Sequence, residues 1–408
     1  MAEVIIVGAG PAGSALAMLL AQRSVDTLLL DKATFPRKKI CGDYLSPGTV
    51  RLLDQLDLLH DVEAAGAKRL RGMEIASPDA TTFKAMYPAT TERNGVRSYA
   101  LSIPRTILDN LLLERARRWG VKCSEGFRVT DLLWTDGQIR GVKGIGPQGS
   151  KIYRGRIVVG ADGRGSVVAR RLDLYRPHPT LQRMALVAYY EGASELRDQG
   201  IITIGDGSYC ILNPVGERLI NASIVLEQSI VLPWKGRLQA LFDRKLAEFP
   251  IAVRALRAMG RVGTVRCLGP LAFRAGRTSL AGALLIGDAA GFYDPFTGEG
   301  VFHALRSAEL AAQEIVSALA DGGFTTTRLR HFHYEQRRAI DAKEHLARTI
   351  QAIISRPIAA NALARLLRRH QSLADLLLGV IGDLLPARAL LSVEALMALM
   401  QPRQTVIR

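Results

Sequence analysis

Residues 4–7 read VIIV and run directly into GAGPAG at residues 8–13. A continuous apolar run fits a parallel strand buried on both faces. The next stretch, SALAMLLAQRS, is rich in helix formers with apolar residues at helical spacing. TLLLD then reads as a second buried strand ending in Asp31. Strand, glycine loop, helix, strand and acid in this order form the fingerprint of a loop that cradles a dinucleotide pyrophosphate. Gly8 makes the tight turn, Gly10 admits the phosphates close to the backbone, and Gly13 lets helix and strand pack. The helix after Gly13 turns its N-terminus to the anion, Pro11 and Ala12 join the glycines as expected cofactor contacts, and Asp31 is placed to bind ribose hydroxyls.

The same pattern occurs again as GIGPQG at residues 144–149. Here the flanking segments, QIRGVKGI and SKIYRGRIVV, alternate polar and apolar. That predicts a strand, a glycine-rich turn and another strand, with no helix to aim at a phosphate. One dinucleotide site is therefore expected, at the N-terminal loop.

The 408 residues can hold one large or two modest domains, and 48% hydrophobic with 23% charged residues supports a sizeable core. Cys41, Cys123, Cys210 and Cys267 form no C-x-x-C pair, so neither a zinc site nor a disulfide framework is expected, and a reducing, cytoplasmic setting fits. No signal peptide is expected from MAEVIIVGAG. The longest apolar region, LADLLLGVIGDLLPARALL, is broken by Asp375, Asp383 and Pro386, so no transmembrane helix is expected. The net charge of +16 fits either an arginine-rich composition or an anionic partner. With no zinc-finger spacing or RNP1-type motif, no nucleic-acid partner is expected. HFH at 331–333 lies in a predicted helix, where i and i+2 share no face, so no metal site is expected there. There is no G-x-S-x-G elbow.

Two later stretches narrow the dinucleotide. GADGRGSVVARR (160–171) comes after the apolar RIVV, and GALLIGDAAGFYDPFTGEGVFHAL (282–305) carries an apolar strand, Gly287-Asp288, and a glycine cluster opening a helix. With residues 8–13 ahead of them, these motifs make the chain resemble FAD-dependent enzymes of the para-hydroxybenzoate hydroxylase fold, over roughly residues 1–330. The resemblance implies FAD as cofactor, reduced by NAD(P)H or a protein electron donor. It implies that Asp162 and Gly163 turn close to the pyrophosphate, that Arg105 reaches the phosphates, and that the backbone of Val129 meets the adenine. Asp288 can accept from ribityl or ribose hydroxyls. Gly298 and Gly300, with Pro295 and Val301 beside them, leave open amides at a helix start, where the dipole can stabilise negative charge on a reduced flavin ring. For Arg105 alone, a surface position remains the alternative.

FPRKKICGDYLSPGTVRLL (35–53) resembles the K-x-C-G segment of the geranylgeranyl reductase branch. The resemblance brings Cys41, Gly42 and Tyr44 near the flavin, with Lys32 and Arg37 among the cofactor contacts. Cys41 is equally read as a small residue in a tight turn, and Arg37 and Lys39 are read either as contacts to a phosphate or a substrate carboxylate or, equally, as solvated surface charge. YCILNPVGERLINAS (209–223) resembles that branch's Y-x-W-x-F-P segment and the asparagine after it. Tyr209, Pro214 and Asn221 align, while Ile211 and Asn213 replace the tryptophan and the phenylalanine. The substrate pocket is expected on these five residues, with an amide in its wall, and the departures leave the prenyl substrate open. Cys41 and Tyr209 are the candidate proton sources. No halogenase-type W-x-W-x-I-P segment is present.

The expected fold is α/β. Residues 1–72, 96–176 and 265–330 form a Rossmann-like FAD-binding domain, and residues 73–95 and 177–264 an interleaved substrate domain of mixed or antiparallel sheet. Residues 331–408 form a C-terminal helical extension, broken at Pro357 and Pro386. That extension reads either as packed on the core or as a basic amphipathic surface for peripheral membrane contact or for admitting a long lipid. The expected activity is transfer of hydride from reduced flavin to a carbon–carbon double bond of a bulky, isoprenoid-like lipophile. The alternatives are an oxygen-dependent monooxygenase of aromatic or phenolic lipids, and a non-catalytic flavin-bound protein of the membrane surface. Oligomeric state is not read from the sequence.

Overall fold

The computed structural model describes residues 2–88, 97–193, 196–276, 282–321 and 323–392, without the side chains of 339–343. The ends of two expected segments, 89–95 and 393–408, lie outside the described residues. The N-terminal VIIV lies in the strand Ala2–Val7, paired in parallel with Thr27–Leu30 on one side and with residues 155–160 of the long strand Gly149–Gly160 on the other. Lys122–Ser124 extends the parallel sheet beyond Thr27–Leu30, and Ala283–Leu285 pairs in parallel with residues 158–160. The first half of Gly149–Gly160 instead pairs antiparallel with Gln138–Gly146, which pairs antiparallel with Arg128–Thr135. GIGPQG is thus the tip of a hairpin, as its alternating flanks require.

On one face of this sheet lie the helices Pro11–Ala21, Arg105–Arg118 and Gly300–Ala320. Ala12, Ala15 and Leu16 of the first share a buried core with Ala304, Ala308, Ala311 and Ile315 of the last. Small alanine faces let these helices approach closely, which brings both N-termini to one edge of the sheet. On the other face Ile5, Val7, Leu30 and Val158 pack against Phe127, Val129, Ile139 and Val142.

A second sheet has the strand order Met259–Leu268, Arg183–Gly192, Leu219–Glu227, Tyr209–Val215, Gln199–Ile204, Gly72–Ala76, Thr82–Met86. Its outer face, including Leu186, Cys210, Leu212 and Ile224, packs against Leu241, Phe242, Phe249 and Leu256. Leu241, Phe242 and Leu256 sit on two helices, Leu238–Leu246 and Pro250–Leu256, and Phe249 caps the second, inside a stretch expected to form strands. The i, i+3, i+4 spacing of their apolar residues overrides the surrounding alternation, because the sheet needs a cover on that face.

The C-terminal part is helical, as expected, but begins earlier: Thr326–Ile354 opens on Thr325, whose hydroxyl accepts from the Arg328 amide. Pro357–Arg369 and Gln371–Ile381 come next, with Pro357 in the first turn where its missing N–H costs nothing. Ala364, Leu367, Ala374 and Leu378 pack on Met73, Phe83 and Tyr87 of the second-sheet region. Among the described residues no helix is long and apolar enough to cross a membrane.

Candidate active site

Between the two sheets and the C-terminal helices lies a cavity of about 840 Å³. At one end stands the first glycine loop. Gly8 has φ +107°, and a Cβ there would lie 2.5 Å from the Ala161 carbonyl oxygen. A Cβ on Gly13 would lie 1.8 Å from the Gly8 carbonyl oxygen, so the helix rests on the loop itself. Gly10 differs: a Cβ on it would meet only Arg37 Nη2, at 3.4 Å across the cavity space. Gly8, Gly10, Pro11 and Ala12 line the cavity, while Gly13 and Gly287 stand behind the wall. Gly287, at φ +55°, lets its loop sit against Ala12.

The charges at this end are predominantly positive. Arg37, Lys39, Arg105 and Arg164 line the cavity, with Lys32 and Lys38 beside them, facing Asp31, Asp162 and Asp288. Asp31 accepts from the amides of Ala9 and Ala33, each at 2.8 Å, so the acid expected to meet the ribose also ties the glycine loop to the second strand. Asp109, fully buried one turn after Arg105, receives Nε and Nη2 of Arg105 at 2.6 and 2.9 Å and lies 3.2 Å from Arg37 Nη2. Burial works against the Arg105 charge, but Asp109 holds its pKa above the ordinary value. Burial, then the Arg105 charge, push the Lys39 amine down, and Asp288 opposes them. Arg164 Nε stands 3.9 Å from Asp288.

Asp162 has one carboxylate oxygen on the Val167 amide at 2.7 Å, and its other oxygen is buried without a hydrogen-bond partner among the described residues. Burial raises its pKa. The open space beside Gly10, that unused acceptor and the excess of cations fit a dinucleotide pyrophosphate with its sugar hydroxyls. Val129 and Gly163 also line this end.

The middle of the cavity is formed by the turn Cys41-Gly42-Asp43. Asp43 is buried with φ +56° and accepts from Tyr189 Oη, from Asn221 Nδ2 at 2.9 Å and from the Arg105 amide at 3.2 Å. Burial raises its pKa, against the pull of those bonds. Asn221 Nδ2 also reaches the Cys41 carbonyl at 2.8 Å, and Asn213 Nδ2 the Gly42 carbonyl at 3.0 Å. Asn213, which departs from the Y-x-W-x-F-P pattern, and Asn221, the aligned asparagine after it, therefore pin the turn. Burial pushes the Cys41 thiol up, so it holds its proton, although the Arg105 charge pulls the other way. Tyr44, Pro295, Gly298, Gly300 and Val301 complete this part, and Gly298, at φ +69°, is pressed against the Tyr44 ring.

The far end is apolar. Met73, Ile75, Phe83, Val187, Ile202, Ile211 and Val225 come from the second sheet, and Ile350, Ile354, Leu363, Leu367, Leu377 and Ile381 from the C-terminal helices. Of the five expected substrate residues, Ile211 and Asn213 line the cavity. Tyr209, Pro214 and Asn221 do not, and this corrects their assignment. Asn221 is turned to the Cys41–Asp43 turn. Tyr209 is fully buried under the Phe296 ring and donates to Asp294 at 2.8 Å, so its hydroxyl is committed below the wall rather than offered as a proton source. Asp294 also accepts from Gln351 at 2.6 Å and from the Phe296 amide at 2.9 Å, which ties the Pro295–Gly300 loop to the C-terminal helix.

Sequence reading missed Asp109, Arg164, Asp43 and Asp294. For Asp109 a signal existed, the i, i+4 spacing from Arg105. Arg164 stood inside the quoted GADGRG. The others depend on contacts between distant segments. Among the described residues no group of His, Cys, Asp and Glu is placed to hold a metal.

Comparison with known proteins agrees with this cavity. A model of the FAD binding domain matches residues 1–348. The digeranylgeranylglycerophospholipid reductase 1 of Methanopyrus kandleri is 28% identical over 339 residues, covering 81% of this chain and 84% of its own. The menaquinone reductase of Mycolicibacterium smegmatis is 27% identical over 411 residues, covering 94% and 92%. Among solved structures, the myxobacterial chondrochloren halogenase CndH superposes with a TM-score of 0.81 at 24% identity, over 87% of this chain and 83% of that one, a likeness of fold. The cofactor is FAD, and the chain belongs to the FAD binding domain family of flavoenzymes.

Proposed function

We propose that the protein is a FAD-dependent reductase that saturates a carbon–carbon double bond in a bulky, isoprenoid-like lipophile. The observation that carries this reading is the apolar far end of the cavity, continuous with the cation-rich end and walled by three C-terminal helices. Such a chamber removes a long hydrocarbon from water and offers it few polar competitors. The two reductases compared above, one named for a digeranylgeranyl lipid and one for menaquinone, support the same class.

Bound FAD, reduced by NAD(P)H or a protein electron donor, supplies the hydride. The chain's residues do the rest. Arg37, Arg105, Lys39 and Arg164 would neutralise the cofactor's pyrophosphate, Asp31 and Asp288 would orient its sugar hydroxyls, and the amides at Gly298–Gly300 would stabilise negative charge on the reduced ring. One carbon receives the hydride and the other a proton, for which the protonated Cys41 thiol is the candidate donor within the cavity wall. Outside the cavity, Ile358 is 87% exposed, and Leu366, Arg368 and Arg369 are exposed on the same helix whose inner face supplies Leu363 and Leu367. An apolar and cationic outer face supports peripheral contact with an anionic bilayer.

The test is anaerobic. Reduced holoenzyme is mixed with a polyprenyl lipid in anionic vesicles, and flavin absorbance and product mass are monitored. Reoxidation with a product two hydrogens heavier is expected, faster than with zwitterionic vesicles at low salt and equal at high salt. Reoxidation only on admission of oxygen, with an oxygenated product, would replace this reading with a monooxygenase of phenolic or aromatic lipids.

A further inference from the structure

Asn213 and Asn221 face one another in register on neighbouring strands, but their amides are used differently. Asn221 is committed at both ends: its nitrogen serves the Cys41 carbonyl and Asp43, and its oxygen accepts from Ser223 Oγ at 2.8 Å. Asn213 spends its nitrogen on the Gly42 carbonyl at 3.0 Å, which fixes which way its oxygen points. That oxygen is buried and has no hydrogen-bond partner among the described residues, on a side chain only 3% exposed that lines the cavity. Buried acceptors are rarely left in this state.

The surroundings sharpen the chemistry. Ser223 also lines the cavity, and because its proton goes to Asn221, it offers only lone pairs there. Gly200, opposite Asn213, makes room for the amide itself: a Cβ on it would lie 2.9 Å from Asn213 Oδ1 and 2.6 Å from Met73 Sδ. Around these two acceptors the sheet face is apolar, with Ile202, Ile211 and Val225. Two acceptors side by side favour a hydroxyl or N–H over a carboxylate, phosphate or bare carbonyl.

We infer that Asn213 Oδ1, with Ser223 Oγ beside it, receives a hydrogen-bond donor of the substrate, so that the preferred lipophile carries a hydroxyl or N–H at the end lying against the Cys41–Gly42 turn. The inference rests on the reading that the apolar chamber holds a lipophilic substrate. It names the polar group such a substrate brings and sets that group beside the turn, with the hydrocarbon running toward the C-terminal helices.

The test uses oxidised holoenzyme, titrated with ortho-farnesylphenol and with farnesylbenzene, which lacks the hydroxyl, and read by perturbation of the flavin spectrum. Without an acceptor in the chamber the hydroxyl carries only its desolvation cost, and farnesylbenzene binds tighter. The expected result is the opposite order, with the phenol tighter by at least about tenfold. Asn213→Leu should abolish that preference. Asn213→Asp, which loses the same contact to Gly42 but keeps an acceptor, should retain it, so the pair separates recognition from support of the turn. Equal or reversed affinity in the wild type overturns the inference while leaving the lipophile chamber standing. An undiminished preference in Asn213→Leu overturns it as well. Binding of neither compound overturns both.

Discussion

The two G-x-G-x-x-G stretches are identical in spacing and opposite in use. In GAGPAG, Gly8 takes φ +107° at the end of a buried strand, Gly13 supports a helix, and the position between them opens on the cavity beside Arg37. In GIGPQG, Gly146 and Gly149 close a hairpin, and the glycines make room for a side chain. A Cβ on Gly144 would lie 2.5 Å from the Phe127 ring and one on Gly146 2.9 Å from it. Phe127 packs edge-on against Tyr153 at 5.1 Å and itself lines the cavity. The first loop leaves space for a ligand, the second leaves space for a ring of the protein. A glycine pattern acquires its meaning from the next element of the chain, helix or strand.

The largest effect that can break this comparison is expected at Gly13. Gly13→Ala places a methyl 1.8 Å from the Gly8 carbonyl oxygen, in a wall of backbone that cannot yield as a side chain can. The helix must move off the loop, which costs about 3 kcal/mol or more and spoils the phosphate cradle. Purified variant should carry little flavin and unfold at lower urea. Normal flavin content would mean that the loop does not hold the cofactor.

A smaller effect sharpens the electrostatic side of the comparison. Asp109→Ala leaves Arg105 and Arg37 facing the first loop without their buried counter-charge. Stripping one partner from a fully enclosed pair costs about 3–5 kcal/mol, and less here because both guanidinium groups line the cavity. If the guanidinium groups face the pyrophosphate, bound FAD replaces part of the lost negative charge. Thermal melts should then show a smaller loss with saturating FAD than in apoprotein. An equal loss in both would place the arginines away from the phosphates.

These contrasts also mark what the sequence could convey. The first loop, Asp31, Asp162, Asp288 and the Gly298–Gly300 cluster were legible because each is a local device, a strand end passing at once into a turn or helix start. The hairpin at 144–149 was legible for the same reason. The lower half of the site was not. Tyr209 and Asn221 lie on the same sheet face as Ile211, yet whether they reach the cavity depends on Phe296 and on the Cys41–Asp43 turn, both far away in the chain. Asp43 and Asp294 owe their roles to partners 146 and 85 residues distant, Tyr189 and Tyr209. The helices at 238–256 were hidden because their short apolar spacing lies within a run of strands. The C-terminal helices were legible as amphipathic elements, but the surface they cover is set by tertiary packing.

The smallest expected effect is the most informative about pattern against context. Gly146→Ala adds a methyl 2.9 Å from Phe127 Cδ2. The ring is a side chain at the edge of the cavity, so it can tilt, and the strain should cost about 1–2 kcal/mol. The backbone of Gly146 is extended and not left-handed, so no conformational penalty is added. Stability in urea should fall slightly while the ratio of flavin to protein stays at the wild-type value. Any change in ligand spectra should come through Phe127, and Phe127→Leu should reproduce it. Loss of flavin as complete as in Gly13→Ala would put the pyrophosphate at the hairpin and exchange the roles of the two loops.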